Sequence, residues 1–224
     1  MPVDTTLDQV AVADLAAGLP VREFRSYKGC RHYSGWYWSA TMGQLVAYES
    51  RLELARILLA DFDPTVVGIA AQPFQLIGRD GSTLRRHVPD LLLRYADGGV
   101  SVVDVKPAHR VDDPKVRAVF DWTARIAAGR GWRFEVWAGA PGTLLANVAF
   151  LAGYRRLAVV DRALIPAVLD QVEAGETIGA LEQRMGLRSD VVRPVVLHLL
   201  WSGRLRTDLG TSLGADSPLM VGVR

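Results

Sequence analysis

The chain has 224 residues, half of them hydrophobic, and a formal net charge of +2. That is enough for one large core, or for a medium core with a small appended domain. Near-neutrality excludes a protein that holds nucleic acid by bulk charge, so any such contact must come from local patches. The single cysteine, Cys30, excludes an intramolecular disulfide and fits a reducing cytosol. Four histidines without ligand-like spacing make a structural zinc site unexpected.

Residues Met1 to Pro20 read as a lead-in with one short helix. Their acids, Asp4, Asp8 and Asp14, and the lack of a basic start are unlike a secretory signal. Val21 to Trp38 interleaves Arg22, Arg25, Lys28 and Arg31 with six aromatic residues from Phe24 to Trp38. Such a mixture suits phosphate contact and base stacking, with Arg25, Lys28 and Arg31 as candidate DNA contacts. It equally suits a β-like arm whose aromatics cover a core. Thr41 to Ala60 is expected to be a helix, because Leu45, Tyr48, Leu52, Ala55 and Leu59 recur at spacings of three and four. Glu49 borders that apolar stripe and Glu53 lies one turn further on. For either acid the plain alternative is a salt bridge to Arg56 or to a neighbouring helix.

A strand is expected from Val66 to Ile77, running through Gln72-Pro73-Phe74, with a turn at Gly78-Arg79-Asp80-Gly81. The stretch Arg86 to Pro107 reads as two apolar strands joined by a tight turn at Asp97-Gly98-Gly99. Asp90 heads the first strand; Asp104 and Lys106 end the second. Residues two apart on a strand share a face, so Asp104 and Lys106 project together, opposite Val103 and Val105. Ionisable groups on so apolar a hairpin must be paired or hold a metal. An isolated D-x-K triplet is most simply an ion pair at a sheet edge. The Pro89-Asp90 pair one hairpin upstream is what raises a second possibility.

Asp113 and Pro114 are suited to cap and start a helix that runs to Gly129, followed by a strand at Trp132 to Trp137. The apolar run Leu144 to Ala152 is too short to span a bilayer, and a soluble cytoplasmic protein is expected. Three helices follow, at Ala163 to Ala174, Thr177 to Met185 and Asp190 to Trp201. Short strands at Gly203 to Asp208 and Leu219 to Val223 complete the outline of a winged helix-turn-helix. Arg184, Arg188, Arg193, Arg204 and Arg206 would decorate its turn, third helix and wing. Arg188, Arg193 and Arg204 are the candidate DNA contacts there, and docking to a protein partner is equally open. The expected domains are an N-terminal arm (1–38), a core (39–156) and a winged-helix-like domain (157–224). The overall class is α/β, a mixed sheet flanked by helices.

GWYWSATMGQLVAYESRLELARILLADFDP, then QPF, then RHVPDLLLRYADGGVSVVDVKP, resembles the TnsA-like endonuclease subunit of heteromeric transposases, within the PD-(D/E)xK nuclease superfamily. The likeness runs from about Tyr33 to Arg156. It implies a restriction-endonuclease-like core and a Mg²⁺-dependent DNA endonuclease, with Mn²⁺ able to substitute. By that resemblance Glu49 takes the place of the helical acid, Asp90 that of the PD aspartate and Lys106 that of the lysine. Asp104 stands where the family can carry a glutamine instead of an acid; here the position is acidic, as in the wider superfamily, so its ligand role comes from its chemistry and is not carried over directly from the family. Glu49, Asp90 and Asp104 would be the metal ligands, and Gln72 a structural position. The implied partners are double-stranded transposon-end DNA, a DDE-type transposase subunit and an ATPase regulator, acting at the nucleoid. A stand-alone restriction or repair nuclease, and an inactive DNA-binding or assembly protein, are the alternatives.

Overall fold

In a computed structural model the described residues are 4–18, 20, 21 and 33–222. Arg25, Lys28 and Arg31, with most of the basic-aromatic stretch, lie outside them. The chain divides into two compact units, Met1–Gly139 and Ala140–Arg224.

In the first unit, helix α1 (Val12–Ala17) precedes a hairpin of β1 (Gly35–Ser39) and β2 (Gln44–Tyr48). Helix α2 (Arg51–Phe62), strand β3 (Val66–Ala71) and a second hairpin, β4 (Leu76–Asp80) and β5 (Thr83–His87), follow. Next come β6 (Leu91–Tyr95), β7 (Val100–Val105), the short α3 (Ala108–Val111), α4 (Pro114–Gly129) and β8 (Arg133–Trp137). Four strands form a mixed sheet in the order β3-β6-β7-β8; β7 and β8 are parallel and the other pairs antiparallel.

Alternation on β6 and β7 builds two apolar layers. Leu91, Leu93, Val103 and Val105 face Ile57 and Ala60 of α2 and the β1–β2 hairpin. Leu92, Val100 and Val102 face Trp122 and Ala127 of α4, together with Leu15 of α1. The N-terminal helix is therefore part of the core packing rather than a loose lead-in. Helix α4 starts as its sequence dictates: the Asp113 side chain accepts from Lys115 N at 2.8 Å, and Pro114 occupies the first turn.

Three sequence expectations are corrected. Thr41 to Ala60 is not one helix: Gln44–Tyr48 pairs with β1, and the helix begins only after Ser50. Pairing with β1, across a turn in which Gly43 takes φ 62°, overrides the helical spacing of the apolar residues. The strand from Val66 breaks at Gln72, whose φ of 45° cannot continue a pleat. Gly78 and Asp80 lie in β4 rather than in a turn, which instead falls at Gly81 with φ 61°.

The buried carboxylate of Asp61 fastens the β1–β2 hairpin to α2. It accepts from Tyr37 Oη (2.8 Å), Ser39 Oγ (2.6 Å), Ala40 N (3.0 Å) and Thr41 N (2.8 Å). Four donors replace the water that burial removes.

In the second unit, α5 (Gly142–Leu151) is a helix that sequence reading left unassigned, continued by a 3₁₀ turn. It groups with the C-terminal helices in the second compact unit, which begins at Ala140. Its Asn147 donates to Leu209 O (2.9 Å) and Thr211 O (2.6 Å) and accepts from Leu213 N (3.2 Å), fixing the loop over residues 209–213. The expected order then appears: α6 (Leu164–Gln171), α7 (Ile178–Met185), α8 (Ser189–Trp201) and the antiparallel pair β9 (Leu205–Arg206) and β10 (Met220–Val221). Thr177 caps α7, and Gly186 closes it in the left-handed region at φ 64°. Among the described residues no helix is long and apolar enough to cross a membrane.

Asp61→Ala strips four donors of their acceptor. It is expected to cost about 3 kcal/mol or more, read as a lower urea midpoint with an unchanged m value.

Candidate active site

The site forms where β6 and β7 begin and end. Leu91 pairs with Val103, and continuing that register by one residue sets Asp90 opposite Asp104. Asp90 Oδ2 accepts from Val105 N at 2.6 Å, so the backbone of one strand holds the side chain of the other. Burial pushes the Asp90 carboxyl up to about 7. The Val105 hydrogen bond opposes that shift, the negative charges of Asp104 and Glu53 add to it, and the Lys106 ammonium offsets part of it.

Asp104 is 1 % exposed. His87, from the end of β5, places Nε2 at 2.9 and 2.8 Å from its two oxygens. Against a carboxylate in its acceptor-only form, the tautomer that carries its proton on Nε2 would donate to both oxygens. Lys106 follows β7 directly and is anchored by its backbone, N donating to Trp137 O at 2.9 Å. Val103 and Val105 are buried on the α2 side of the sheet, as alternation requires.

The helical acid needs closer reading. Glu49 precedes α2 instead of lying on it, whereas Glu53 occupies the third helical position. Ser50 and Glu53 form a reciprocal cap. Glu53 N donates to Ser50 Oγ at 3.1 Å. The Glu53 carboxylate in turn accepts from Ser50 Oγ (2.9 Å) and Glu49 N (2.9 Å). Burial raises the Glu53 carboxyl above its ordinary value; the Glu49 charge adds to this, and Lys106 counters it. Glu53 is thus the α2 acid whose charge acts on Asp90, and Glu49 bears on Glu53. The expected salt bridge of these acids to Arg56 is not what Arg56 makes: it forms a bidentate pair with Glu135 of β8, at 2.9 and 2.7 Å.

Sequence reading missed Glu53 as a site residue, although the S-x-x-E capping pattern was in plain view. It also missed His87, for which no local signal exists, since 17 residues separate it from Asp104. Gln72 adjoins the site through its backbone, N donating to Asp90 O at 2.9 Å, and its buried Oε1 has no hydrogen-bond partner among the described residues.

A hard divalent cation prefers several carboxylate oxygens at one point. Asp90, Asp104 and Glu53 supply that chemistry, and their mutual repulsion is the kind a cation relieves. The donors are not gathered into a coordination shell: among the described residues no three acidic, histidine or cysteine side chains are placed to hold a metal ion together. Both oxygens of Asp104 face His87, and those of Glu53 serve the cap.

In the second unit, Arg193 forms a bidentate pair with the buried Glu182, at 2.6 and 2.7 Å. Arg188 pairs with the neighbouring Asp190 at 3.0 and 2.6 Å, on the surface. Arg204 adjoins β9, half-buried, and Arg206 lies exposed on it.

The family model described as TnsA-like endonuclease N terminal matches residues 63–138. The match spans 76 of the 224 residues. It takes in Gln72, His87, Asp90, Asp104 and Lys106, and stops short of Glu49 and Glu53. This segment is TnsA-like, which supports a DNA endonuclease and is consistent with the PD-(D/E)xK superfamily and with a mixed sheet flanked by helices. No curated protein matches the chain.

The raised Asp90 pKa has a signed consequence. Between the unfolded value of 3.8 and about 7 the folded chain holds a proton that the unfolded chain has lost. This contribution to stability is full below 3.8 and is lost as pH rises through 7. Asp90→Asn keeps an acceptor for Val105 N and removes the titration. It should leave stability at pH 4 nearly unchanged and raise it at pH 8 by up to about 4 kcal/mol, measured by urea unfolding at the two pH values.

Proposed function

We propose that the chain is the metal-dependent endonuclease subunit of a heteromeric transposase, nicking DNA at transposon ends beside a separate DDE-type transposase under an ATPase regulator. The observation that carries the reading is the pairing of Asp90 with Asp104 across β6 and β7, with Lys106 one residue beyond the strand. A repulsive carboxylate pair with an ammonium beside it is costly in a structural role and useful against a phosphodiester.

Asp90 and Asp104 would hold Mg²⁺, or Mn²⁺ in its place, with an acid from the α2 end. Glu53 is the acid we assign to that third position, because it lies on α2 and its charge acts on Asp90. When bound, the cation neutralises phosphate charge and lowers the pKa of water. Lys106, as an ammonium, would orient the attacking water and balance charge on the scissile phosphate, while the water gives up its proton to solvent. The water oxygen bonds to phosphorus, one bridging P–O bond breaks, and the leaving oxygen is protonated. His87 would orient Asp104 through the contact of its Nε2 with both carboxylate oxygens. The second unit, read as a winged helix, would contact DNA or the transposase. Arg188, Arg204 and Arg206 are better placed for this than Arg193, which Glu182 holds.

One observation favours a different reading, an inactive assembly protein: the oxygens of Asp104 and Glu53 are already engaged by His87 and the cap. Calorimetry with Mg²⁺ and Mn²⁺ separates the two, since an inactive core gives no binding heat. Robust cleavage by the purified chain alone would instead point to a stand-alone nuclease.

With transposase partner and end DNA supplied, Asp90→Ala and Lys106→Ala should each lower the nicking rate by about a thousandfold, the range of losing a catalytic group worth about 4 kcal/mol. Glu53→Gln should fall as far, and Glu49→Gln by no more than about tenfold. Unchanged nicking in the Asp90 and Lys106 variants, with the fold intact, rejects this site. Equal losses for the two glutamates restore Glu49 to it.

A further inference from the structure

The β4–β5 hairpin is a two-stranded ribbon outside the main sheet, and its two faces differ. The inner face is covered: Leu76 is buried with Trp122 in the α4 layer, and a Cβ on Gly78 would sit 3.2 Å from the Trp122 ring. Asp80 on that face is the ribbon's only carboxylate, and Arg85 and Arg125 each reach it at 2.7 Å. Arg85 holds the Asp80 carboxyl below its ordinary value.

The outer face is open and built by register. Ile77 lies opposite Arg86, and Arg79 lies opposite Leu84. Ile77 and Leu84 are each 58 % exposed, and both arginines are exposed. Neither Arg79 nor Arg86 has a charged or hydrogen-bonding partner among the described residues. Two uncompensated cations flank two bare aliphatic side chains, on a ribbon narrow enough to enter a nucleic-acid groove. The second strand ends at His87, and Asp90 follows three residues later.

We propose that the outer face of the β4–β5 ribbon is a double-stranded DNA contact, in which Arg79 and Arg86 bind phosphates while Ile77 and Leu84 press against the sugar or base surface. Charge complementarity selects the partner: the face carries cations with no counter-charge among the described residues, and phosphate is the anion a nuclease core meets. The identification of the partner as DNA rests on the function proposed above.

The test measures fluorescence anisotropy of the full chain with a labelled duplex, in chelator, across a salt series. Hydrolysis does not occur there, so the result is independent of the nicking assay: DNA binding through the ribbon and loss of the nuclease reading are separate outcomes. Arg79→Ala with Arg86→Ala should lower the salt slope by about 2, close to 0.9 for each phosphate contact. Between about 50 and 200 mM salt the native chain should then lose about tenfold more affinity than the double variant. Ile77→Ser with Leu84→Ser should weaken binding at every salt concentration and leave the slope unchanged. All four positions are exposed, and matching melting temperatures confirm that the fold persists. Native affinity and slope in the arginine variant would overturn the proposal. Loss of transposase binding in that variant, with DNA binding intact, would overturn it in favour of a protein-docking face.

Discussion

The register of β6 against β7 is the constraint on which the site and core both depend. Leu91 against Val103 sends Leu91, Leu93, Val103 and Val105 toward α2, and sends Leu92 and Val102 toward α4. The same register brings Asp90 and Asp104 face to face, with Val105 N beneath Asp90. A slip of one residue would exchange the two apolar faces and part the acids. Hydrophobic burial over the whole hairpin thus fixes a polar arrangement that would be repulsive by itself. The pair cannot relax by sliding, because sliding exposes the core.

Around that hairpin, each group that approaches the acids is tied down elsewhere. His87 arrives at the base of a ribbon packed on Trp122. Lys106 is held by its backbone bond to β8. Glu53 is fixed by the cap of a helix that Arg56 ties to Glu135 and that Asp61 joins to the β1–β2 hairpin. Four segments thus bring ionisable groups near one another, each on backbone that is fixed elsewhere in the fold.

The parts legible in the sequence were those with short-range causes. The 86–107 hairpin showed itself by alternation and by Asp97-Gly98-Gly99, where Gly98 takes φ 84°. Helix α4 showed itself by Asp113-Pro114, and the C-terminal helices by Thr177 and Gly186. The 41–60 segment failed because apolar spacings of three and four also occur where a strand runs into a helix; only its partner β1 decides the matter. The capping pattern Ser50-x-x-Glu53 held the better signal, and it would have set the helix start. His87 on Asp104, Arg56 on Glu135 and the four donors on Asp61 each join distant segments, and no local pattern encodes them.

Glu53 serves two structures at once. Its oxygens close the first turn of α2 by taking the Glu49 amide and the Ser50 hydroxyl. Any ligand that draws the carboxylate away strands those donors and loosens the helix entrance, so occupancy at the acids and fraying of α2 become rival uses of one side chain.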